Sequence, residues 1–283
     1  MGEPNHYVKV SEKISSRVTS WKQSTQRYQN IEQRLNKPPV FLHQAELRLA
    51  RAKYAFEWRG VPLMKDCKEM MIYQSMLNDV KPRTIIEMGT YLGGSAVWFA
   101  DMAASLSLQC SVITVEKHAE LVRASVRTHP GVRCITGDVN DIEGVLDRDV
   151  LAGLEHPWLV VEDCHVNVRN VMEYLSTFMR RGDYFAIEDT NDIAPYWDAV
   201  EEQDTQLNNA AVMGTGEVKT SSHHQEEEGS KLVDEVPSKN VNKHASVIEF
   251  LQAHKGDFMV DSYYTDLFGF NGTCSWDGYI RKM

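Results

Sequence analysis

The sequence lacks several features that would assign it to a common class of protein. It contains no run of about 18 apolar residues, so a membrane-spanning helix is not expected. The opening stretch "MGEPNHYVKVSEKISSR" has no apolar core of the kind found in secretory signal peptides. Its 5 cysteines are scattered and form no CxxC pair, which indicates reduced thiols. We therefore expect a cytoplasmic protein without disulfides.

Positive charge is also scarce. The chain has 30 Lys and Arg against 40 Asp and Glu, so its formal net charge is −10. This excess of acid disfavours binding to nucleic acid or to an anionic membrane, although a small anionic ligand in a local pocket stays compatible with it. With 283 residues and 42% hydrophobic composition, the chain is long enough for one large soluble domain. Assembly into a homo-oligomer is left open by the sequence.

The middle of the chain alternates short apolar runs with amphipathic runs. The strand-like runs are "TIIEMG", "CSVITVE", "VRCITGD", "WLVVED" and "DYFAIED". The helix-like runs between them include "SAVWFADMAASL", "AELVRASVRTH" and "VRNVMEYLSTFM". Continuously apolar strands separated by helices are typical of a parallel sheet that is covered on both faces. The pattern predicts a doubly wound, Rossmann-like α/β fold.

The flanking segments differ from this core, which we assign to residues 81–202. Residues 1–80 are predicted to be an N-terminal helical extension and lid, with helices at "HQAELRLARAKYAFEW" and "CKEMMIYQSMLNDV". Residues 203–244 are polar and rich in Gly, Ser and Glu, which predicts a flexible insertion whose His223-His224 pair is solvated rather than metal-binding. Residues 245–283 are predicted to add a helix and two late strands that close the same sheet.

The stretch "TIIEMGTYLGGSAVWFA" at residues 84–100 joins a strand to a helix through glycines. Glycine lets a backbone approach a ligand closely, and a helix that begins near Ser95 offers free N–H groups to an anion. Gly89, Gly93 and Gly94 do not fit G-x-G-x-x-G, and the Gly-Lys-Ser/Thr of a P-loop is absent. The stretch predicts a ligand site at the carboxyl end of the sheet, with a purely structural turn as the alternative.

Acidic residues follow two of the neighbouring predicted strands. Glu116 ends "VITVE" and Asp138 follows "VRCIT". A carboxylate at the end of the second strand can accept hydrogen bonds from ribose hydroxyls, whereas the alternative for Glu116 is a surface charge that starts a helix. Asp138 lies where the edge of an adenine ring is expected, or it caps the following helix.

Two more strands each end in a pair of acids. Glu162-Asp163 ends "WLVVED", and Glu188-Asp189 ends "DYFAIED". Successive acids at the end of a buried strand require a partner, and adjacent strands bring such carboxylates to one point. Several hard oxygens at one point suit Mg²⁺. Capping of the following helices is the alternative, and it suits one of these acids better than all of them.

The spacing E-x-G-T-Y-x-G-x-S at residues 87–95 resembles the first motif of Rossmann-like, S-adenosylmethionine (SAM)-dependent methyltransferases, especially those related to catechol O-methyltransferase. The resemblance implies that Glu87 faces the SAM amino group and that Gly89 allows its close approach. It also implies that Ser95 binds the methionyl carboxylate. The cofactor-binding set predicted in this way comprises Glu87, Gly89, Thr90, Tyr91, Ser95, Glu116 and Asp138.

Further stretches resemble the cephalosporin hydroxylase / rhamnosyl O-methyltransferase family. They are, in order, "WRGVPLMKD", "EDCHVNVRNVM", "RRGDYFAIED" and "DSYYTDLFGFN". This family has a SAM-methyltransferase fold and includes Mg²⁺-dependent O-methyltransferases of sugars and natural products. Carried over by position, the resemblance makes Asp163, Glu188 and Asp189 the metal ligands. The polar N-terminus and the insertion have no counterpart in it.

Other polar and aromatic residues near these motifs are candidates for catalysis and substrate binding. His165 follows Asp163 by two residues, and an imidazole suits a general base beside a metal-bound hydroxyl. Support of the metal ligands, or packing in the loop, is the alternative for His165. Lys65 is either a contact of SAM or substrate or a solvated lysine. Tyr196 and Trp197 are candidates for the substrate wall, with plain core packing as the alternative.

The sequence thus predicts a Mg²⁺- and SAM-dependent O-methyltransferase of a sugar or other small hydroxylated metabolite. One alternative is a hydroxylase, or a subunit that assists one. The acids outnumber histidine, which favours Mg²⁺ over the two-His, one-carboxylate site of iron oxygenases. The other alternative is a non-catalytic binding protein that uses the acidic insertion to recruit a partner, since a fold does not prove an activity. The intact acids, Gly89 and Ser95 disfavour it.

Overall fold

The fold is seen in a computed structural model that describes residues 15–40, 52–191, 205 and 243–283. The strands are β1 (Tyr28–Gln29), β2 (Glu57–Trp58), β3 (Val61–Pro62), β4 (Thr84–Met88), β5 (Ser111–Glu116), β6 (Val132–Thr136), β7 (Trp158–Glu162), β8 (Tyr184–Ile187), β9 (Phe258–Asp261) and β10 (Tyr279–Lys282). The helices are α1 (Cys67–Val80), α2 (Gly94–Ser105), α3 (Ala124–Arg127), α4 (Ile142–Val145), α5 (Arg148–Ala152), α6 (Val168–Ser176), α7 (Lys243–Ala253) and α8 (Ser262–Thr265). Further helical stretches span 15–22 and 52–55.

The main sheet has the strand order β6-β5-β4-β7-β8-β10-β9-β1. The strands from β6 to β8 are parallel, and β10, β9 and β1 pair antiparallel in turn. The chain runs outward from β4 through β5 to β6 and then returns to β7 on the other side of β4. This reversal opens a crevice at the carboxyl ends of β4 and β7, where ligands bind in open α/β sheets. The predicted Rossmann-like α/β fold is confirmed, and the two late strands do extend the sheet.

Both faces of the sheet are buried, which explains the unbroken apolar runs of the central strands. All residues of β4 and β7 are buried. Ile86 points to one core, which also contains residues of α6 and α7, whereas Ile85 points to a second core with residues of α1 and α2. Because the side chains of each strand pack into both cores, polar residues at alternate positions would leave unpaired polar groups inside the protein.

Helix α1 has the bounds expected from its sequence pattern. Asp66 caps its start by accepting a hydrogen bond from the Glu69 backbone N–H, and the Glu69 carboxylate accepts one in return from the Asp66 N–H. The helix stops at Lys81, which has a φ of +51° and precedes Pro82. The chain is thereby turned directly into β4.

The region between β5 and β7 is more irregular than the sequence pattern suggested. The single helix predicted at "AELVRASVRTH" is wrong, because the segment divides into a 3₁₀ helix, Ala119–Leu121, and the short α3. At the break the Arg123 N–H donates to the Leu92 carbonyl in the glycine loop. The short helices α4 and α5, capped by Asp141 and Asp147, were not predicted.

The N-terminal region belongs to the edge of the same sheet. Strand β1 pairs with β9, and Arg27 forms an ion pair of 2.8 Å with Asp261 at the end of β9. The expected boundary between residues 80 and 81 falls in the turn from α1 to β4, and a role of residues 1–80 as a lid stays a prediction. Tyr196, Trp197, His223-His224 and most of the predicted insertion lie outside the described residues. Within the described ranges, no helix is long and apolar enough to cross a membrane.

Candidate functional site

A cavity of about 650 Å³ opens at the carboxyl ends of β4, β5, β6 and β7. Its walls are the glycine loop after β4, the ends of β5 and β6, and the loop after β7. The segment 62–65, together with Lys53, Tyr54 and Asp189, completes the described lining. The cavity therefore lies at the crevice that the strand order creates.

The glycine loop is held by close backbone contacts as well as by its turn geometry. Gly89 has a φ of +98°, and a Cβ on it would lie 2.7 Å from the Asp163 carbonyl oxygen. A Cβ on Gly94 would lie 2.1 Å from the Pro62 carbonyl oxygen. Ser95 then stands in the first turn of α2, buried and lining the cavity. Glycine is thus required where β7 and the segment 62–65 approach the loop.

Glu87 lies beneath the cavity floor and is 1% exposed. Its Oε2 accepts a hydrogen bond of 2.6 Å from the Thr114 hydroxyl, which lies 2.5 Å from the Thr90 hydroxyl. Its Oε1 is buried without a hydrogen-bond partner among the described residues. Burial raises the pKa of this carboxyl, while the nearby Lys65 ammonium opposes the rise. A buried acceptor of this kind needs a donor.

Glu116 fastens the glycine loop to the end of β5. Its Oε2 accepts from the backbone N–H of Tyr91 at 2.7 Å, and its Oε1 accepts from that of His118 at 3.0 Å. Tyr91 has a φ of +48° and is largely exposed. Both residues line the cavity, and their role in binding a cofactor stays a prediction. Glu116 also shapes the loop, so it is more than a surface charge.

Asp138 lines the cavity and also caps a 3₁₀ helix, Val139–Asp141. Its carboxylate accepts from the Asn140 backbone N–H at 2.9 Å and lies 3.1 Å from the Lys117 ammonium. The hydrogen bond from the Asn140 backbone, followed by that from Lys117, lowers the pKa of Asp138. Asp138 therefore caps the following helix, as the alternative interpretation held, and it also faces the cavity.

Asp163, His165 and Asp189 converge at the other end of the cavity. One ligand atom from each lies within 4.8 Å of the other two. His165 Nε2 is 3.5 Å from Asp163 Oδ1 and 3.7 Å from Asp189 Oδ2. His165 and Asp189 have backbone φ values of +60° and +49°, which residues other than glycine rarely adopt. Such strain clusters at functional sites.

Three lysines are the partners that the paired acids require. Lys65 Nζ lies 2.7 Å from Asp163 Oδ2, and Lys53 Nζ lies 3.5 Å from Asp189 Oδ1. A third lysine, at the start of α7, lies beneath the same edge with Lys243 Nζ 2.8 Å from Glu162 Oε2. The interpretation of Lys65 as a solvated lysine is wrong, since the residue is only 4% exposed.

Sequence reasoning missed Lys53 and Lys243 as members of this site. Both are isolated lysines in polar or amphipathic stretches, far from the acids along the chain. Their contacts depend on how the segment at 52–55 and helix α7 pack across the sheet edge. The sequence indicated only that a buried carboxylate needs a partner. That requirement does not identify which lysine is the partner.

Glu188 lies behind the cavity instead of on its wall. The residue is 1% exposed, with Oε2 at 2.5 Å from Lys65 Nζ and Oε1 accepting a 2.5 Å hydrogen bond from the Tyr73 hydroxyl. Burial, and then the neighbouring charge of Asp163, raise its pKa. The structure therefore brings two of the three predicted metal ligands together with His165 and places the third beneath them.

The two aspartates that face the cavity are ionised. Burial alone would raise the pKa of Asp163, but Lys65 and then His165 lower it overall. For Asp189, Lys53 overcomes the effect of burial and lowers the pKa in the same way. Lysines held beside carboxylates keep these groups charged in a buried setting. The result is a pair of carboxylates that can bind a divalent cation.

Comparison with known proteins places these features in a family. The family model described as "Rhamnosyl O-methyltransferase/CmcI" matches residues 50–209. Rhamnosyl O-methyltransferase of Mycobacterium tuberculosis is 27% identical over 139 residues, or 47% of this chain and 56% of that protein. The enzyme of Mycobacterium leprae is 26% identical over 140 residues, or 47% and 60%. The matched part is thus little more than half the length of these relatives.

Solved structures of CmcI are similar in fold. One, described as Mg-SAM, has a TM-score of 0.55 and 24% identity, covering 81% of this chain and 77% of that one. Another, described as an apo-structure, has a TM-score of 0.55 and 23% identity, with the same coverage. At this identity the likeness concerns the fold alone. The chain belongs to the Rhamnosyl O-methyltransferase/CmcI family.

Proposed function

We propose that the protein transfers a methyl group from SAM to a hydroxyl of a sugar or another small-molecule metabolite, with Mg²⁺ as cofactor. The observation that carries the proposal is that one cavity joins the glycine loop and Glu116 to the Asp163, His165 and Asp189 cluster. Its family and the Mg-SAM description of a related structure support the same assignment. The acceptor class follows from relatives that are named rhamnosyl O-methyltransferases.

The residues present fit a SAM-type ligand. The buried Glu87 Oε1 has no hydrogen-bond partner among the described residues, so an ammonium would satisfy it. Ser95, in the first turn of α2, offers a hydroxyl near free helix N–H groups, which suits a carboxylate. Glu116 stands at the end of β5, where a ribose is expected, and Asp138 stands beyond it after β6. Thr90 and Tyr91 form the loop between these points.

The residues present also fit Mg²⁺. Asp163 Oδ1 and Asp189 Oδ2 both approach His165, whereas the second oxygen of each aspartate faces a lysine. Two hard carboxylate oxygens therefore face the cavity, which is the donor type that Mg²⁺ prefers. When bound, Mg²⁺ would lower the pKa of the acceptor hydroxyl and orient it.

The chain's own residues then have separate tasks. Asp163 and Asp189 would hold the cation beside the acceptor hydroxyl, and the glycine loop and Glu116 would hold the donor, so that donor and acceptor are oriented in one cavity. His165 is the candidate base for the hydroxyl proton, because its side chain is 54% exposed and its Nε2 lies beside the two aspartates. Lys65, which the sequence placed near SAM or substrate, lines the cavity and contacts two of the acids.

Measurements of binding and of turnover test the proposal. Calorimetry should show binding of S-adenosylhomocysteine, and labelled SAM screened against saccharides, catechols and other hydroxylated metabolites should label one class. Turnover should disappear with EDTA and return with Mg²⁺. Asp163→Asn should lose metal-dependent turnover, while Asp257→Asn, an exposed aspartate at the far end of the sheet, should not. Turnover that persists in both EDTA and Asp163→Asn would refute the metal role.

The same experiments separate the other two functions considered. A hydroxylase would consume oxygen with Fe(II), but the described cluster has one histidine and two aspartates instead of two histidines and one carboxylate. A non-catalytic protein would bind S-adenosylhomocysteine weakly or not at all and would label no acceptor. Neither alternative is favoured by a feature of the described residues.

A further inference from the structure

Thr114 is a buried polar residue in the middle of β5. Its neighbours along the strand, Ile113 and Val115, are apolar, and Thr114 itself has no exposed surface. Strand β5 pairs with β4 in parallel, and the register places Thr114 opposite Glu87. A hydroxyl in such a setting costs free energy unless it is hydrogen-bonded. Its partners therefore indicate what this threonine does.

Three side chains form a directed chain of hydrogen bonds beneath the glycine loop. The Thr114 hydroxyl donates to Glu87 Oε2 at 2.6 Å, and it lies 2.5 Å from the Thr90 hydroxyl. A hydroxyl has one proton to donate, so Thr90 is the donor in its contact with Thr114. None of the three residues is more than 3% exposed, so water does not compete for these bonds. The chain runs from Thr90 through Thr114 to Glu87.

The backbone fixes the start of the glycine loop on the strand that carries Thr114. The N–H groups of Gly89 and Thr90 both donate to the Val115 carbonyl, at 3.0 and 3.2 Å. Thr90 lines the cavity, whereas Thr114 and Glu87 are not part of its lining. The chain therefore connects the cavity wall to the carboxyl group beneath it.

The chain uses one oxygen of Glu87 and leaves the other for a ligand. Oε1 is buried and has no hydrogen-bond partner among the described residues. Because Thr114 engages Oε2, the carboxyl group cannot rotate freely, and the direction of Oε1 is fixed as well. Burial raises the pKa of Glu87, and Lys65 and the Thr114 hydroxyl oppose this rise. An ammonium at Oε1 would favour the ionised carboxyl group in the same way.

We propose that Thr114 is a positioning residue that directs Glu87 toward the ammonium group of the donor, so that the cavity selects a donor that carries this group. This inference rests on the proposed function, since it concerns the donor end of the same cavity. It gives a role to a side chain that acts only through Glu87. It also accounts for a threonine at a position where the rest of the strand is apolar.

The test compares two ligands that differ only in the amino group. They are S-adenosylhomocysteine and its deamino analogue, in which a hydrogen replaces the amino group and the carboxylate is kept. In calorimetry on the full chain, the parent should bind S-adenosylhomocysteine at least about tenfold more tightly than the analogue.

Thr114→Val keeps the shape of the side chain and removes its hydroxyl. The affinity for S-adenosylhomocysteine should fall about fivefold, the effect of one hydrogen bond, and that for the analogue should change less than about twofold. Thr114→Ser keeps the hydroxyl and should preserve the parent's preference between the two ligands. Thr114→Ala, which also removes the hydroxyl, is measured if Thr114→Val does not fold.

Thr84→Val is the matched control for a loss of stability. Thr84 is also buried in a strand, at the start of β4, and its hydroxyl donates to the Glu155 carbonyl at 2.8 Å. This variant removes one hydrogen bond of a buried threonine far from the cavity. The free energy of unfolding should fall, but the affinities for both ligands should equal those of the parent.

The outcomes separate this inference from the proposed function. If the parent binds both ligands equally well, Glu87 does not select the amino group, and the inference is wrong while the donor assignment stands. If the ratio of the two affinities is the same in Thr114→Val as in the parent, Thr114 has only a structural role, and the inference is wrong. If the parent binds neither ligand, the donor part of the proposed function is wrong, and the inference falls with it.

Discussion

The backbones of Gly89 and Asp163 lie so close together that a Cβ on Gly89 would sit 2.7 Å from the Asp163 carbonyl oxygen. We expect Gly89→Ala to reduce the free energy of unfolding by about 3 kcal/mol, because it adds a backbone clash to the strain of a positive φ. The affinity for S-adenosylhomocysteine should fall as well, since the loop must move away from β7. Chemical denaturation and calorimetry measure the two effects.

Gly182 provides a matched control for this substitution. It has a φ of +100°, almost the same as Gly89, but a Cβ on it would have no atom within 4 Å. Gly182→Ala should therefore cost only about 1 kcal/mol, the contribution of the strained φ alone. Equal losses in the two variants would show that the contact with Asp163 contributes nothing.

Glu116 is expected to act on the donor through the shape of the glycine loop. In Glu116→Gln, the backbone N–H groups of Tyr91 and His118 both lose a charged acceptor, and one of them faces an amide NH₂ group instead of an oxygen. We expect about tenfold weaker binding of S-adenosylhomocysteine by calorimetry. Glu120→Gln is the control, because this exposed carboxylate lies in the same segment and contacts only His118 in the described residues. Unchanged affinity in Glu116→Gln would remove Glu116 from the donor site.

Arg34 should be among the most important polar residues for stability. Its guanidinium is buried and contacts Asp277 at 2.5 Å and Asp266 at 2.8 Å. Arg34→Met leaves Asp277 buried without this partner and should lower the free energy of unfolding by about 3 to 5 kcal/mol. Arg83→Met breaks an exposed pair with Glu155 and should cost about 1 kcal/mol or less in the same denaturation assay. Similar losses in the two variants would contradict this ranking.

The buried carboxyl of Glu69 is expected to make the free energy of unfolding depend on pH. Burial raises its pKa from 4.5 to about 7, against the opposing attraction of Lys53. Between these values the folded state binds the proton more tightly than the unfolded state does, so stability falls as the pH rises and the loss is complete above pH 7.

Replacement of Glu69 by Gln isolates this contribution. Glu69→Gln should be more stable than the parent at pH 8, by an amount of the order of 1 to 3 kcal/mol. The difference should shrink as the pH falls through the window from 7 to 4.5, where both states of the parent become protonated at this residue. A difference that is constant across this range would show that Glu69 has an ordinary pKa. Denaturation curves at several pH values provide the measurement.

Much of the core could be predicted from the sequence because its strands are buried on both faces. The unbroken apolar run of β4 predicted a strand that is buried on both faces. The acids at the ends of β7 and β8 were predicted to lie together, because the carboxyl ends of parallel strands reach the same edge of a sheet. Strand β1 could not be predicted, since it has two residues and, in the part of the chain that the structure describes, pairs with β9 at the edge of the sheet. The broken helix at α3 was missed because its break depends on a tertiary hydrogen bond between Arg123 and Leu92.

The candidate site was readable only in part. Gly89, Glu116, Asp163 and Asp189 line the cavity because each lies at or just after the end of a strand, and Ser95 lines it from the first turn of α2. The lysine partners of the acids were not found, since the pairs join residues that are far apart along the chain, from Lys243 and Glu162, which are 243 − 162 = 81 positions apart, to Lys53 and Asp189, which are 136 positions apart. No local pattern marks such a pair. The sequence analysis also did not predict that the side chains of Glu188 and Asp189 separate, with Glu188 behind the cavity and Asp189 on its wall. Adjacent residues at a strand end point to opposite faces.

The contacts of the N-terminal segment have a consequence for the order of events during synthesis. Arg27 pairs with Asp261, 234 positions later, and Arg34 with Asp277, 243 positions later. A ribosome must therefore have made the chain at least as far as Asp277 before residues 27–34 can reach both partners. The sheet from β6 to β8 can form earlier, because its strands and helices follow one another along the chain. Closure of the sheet edge by β9, β10 and β1 is thus expected to follow the formation of the sheet from β6 to β8.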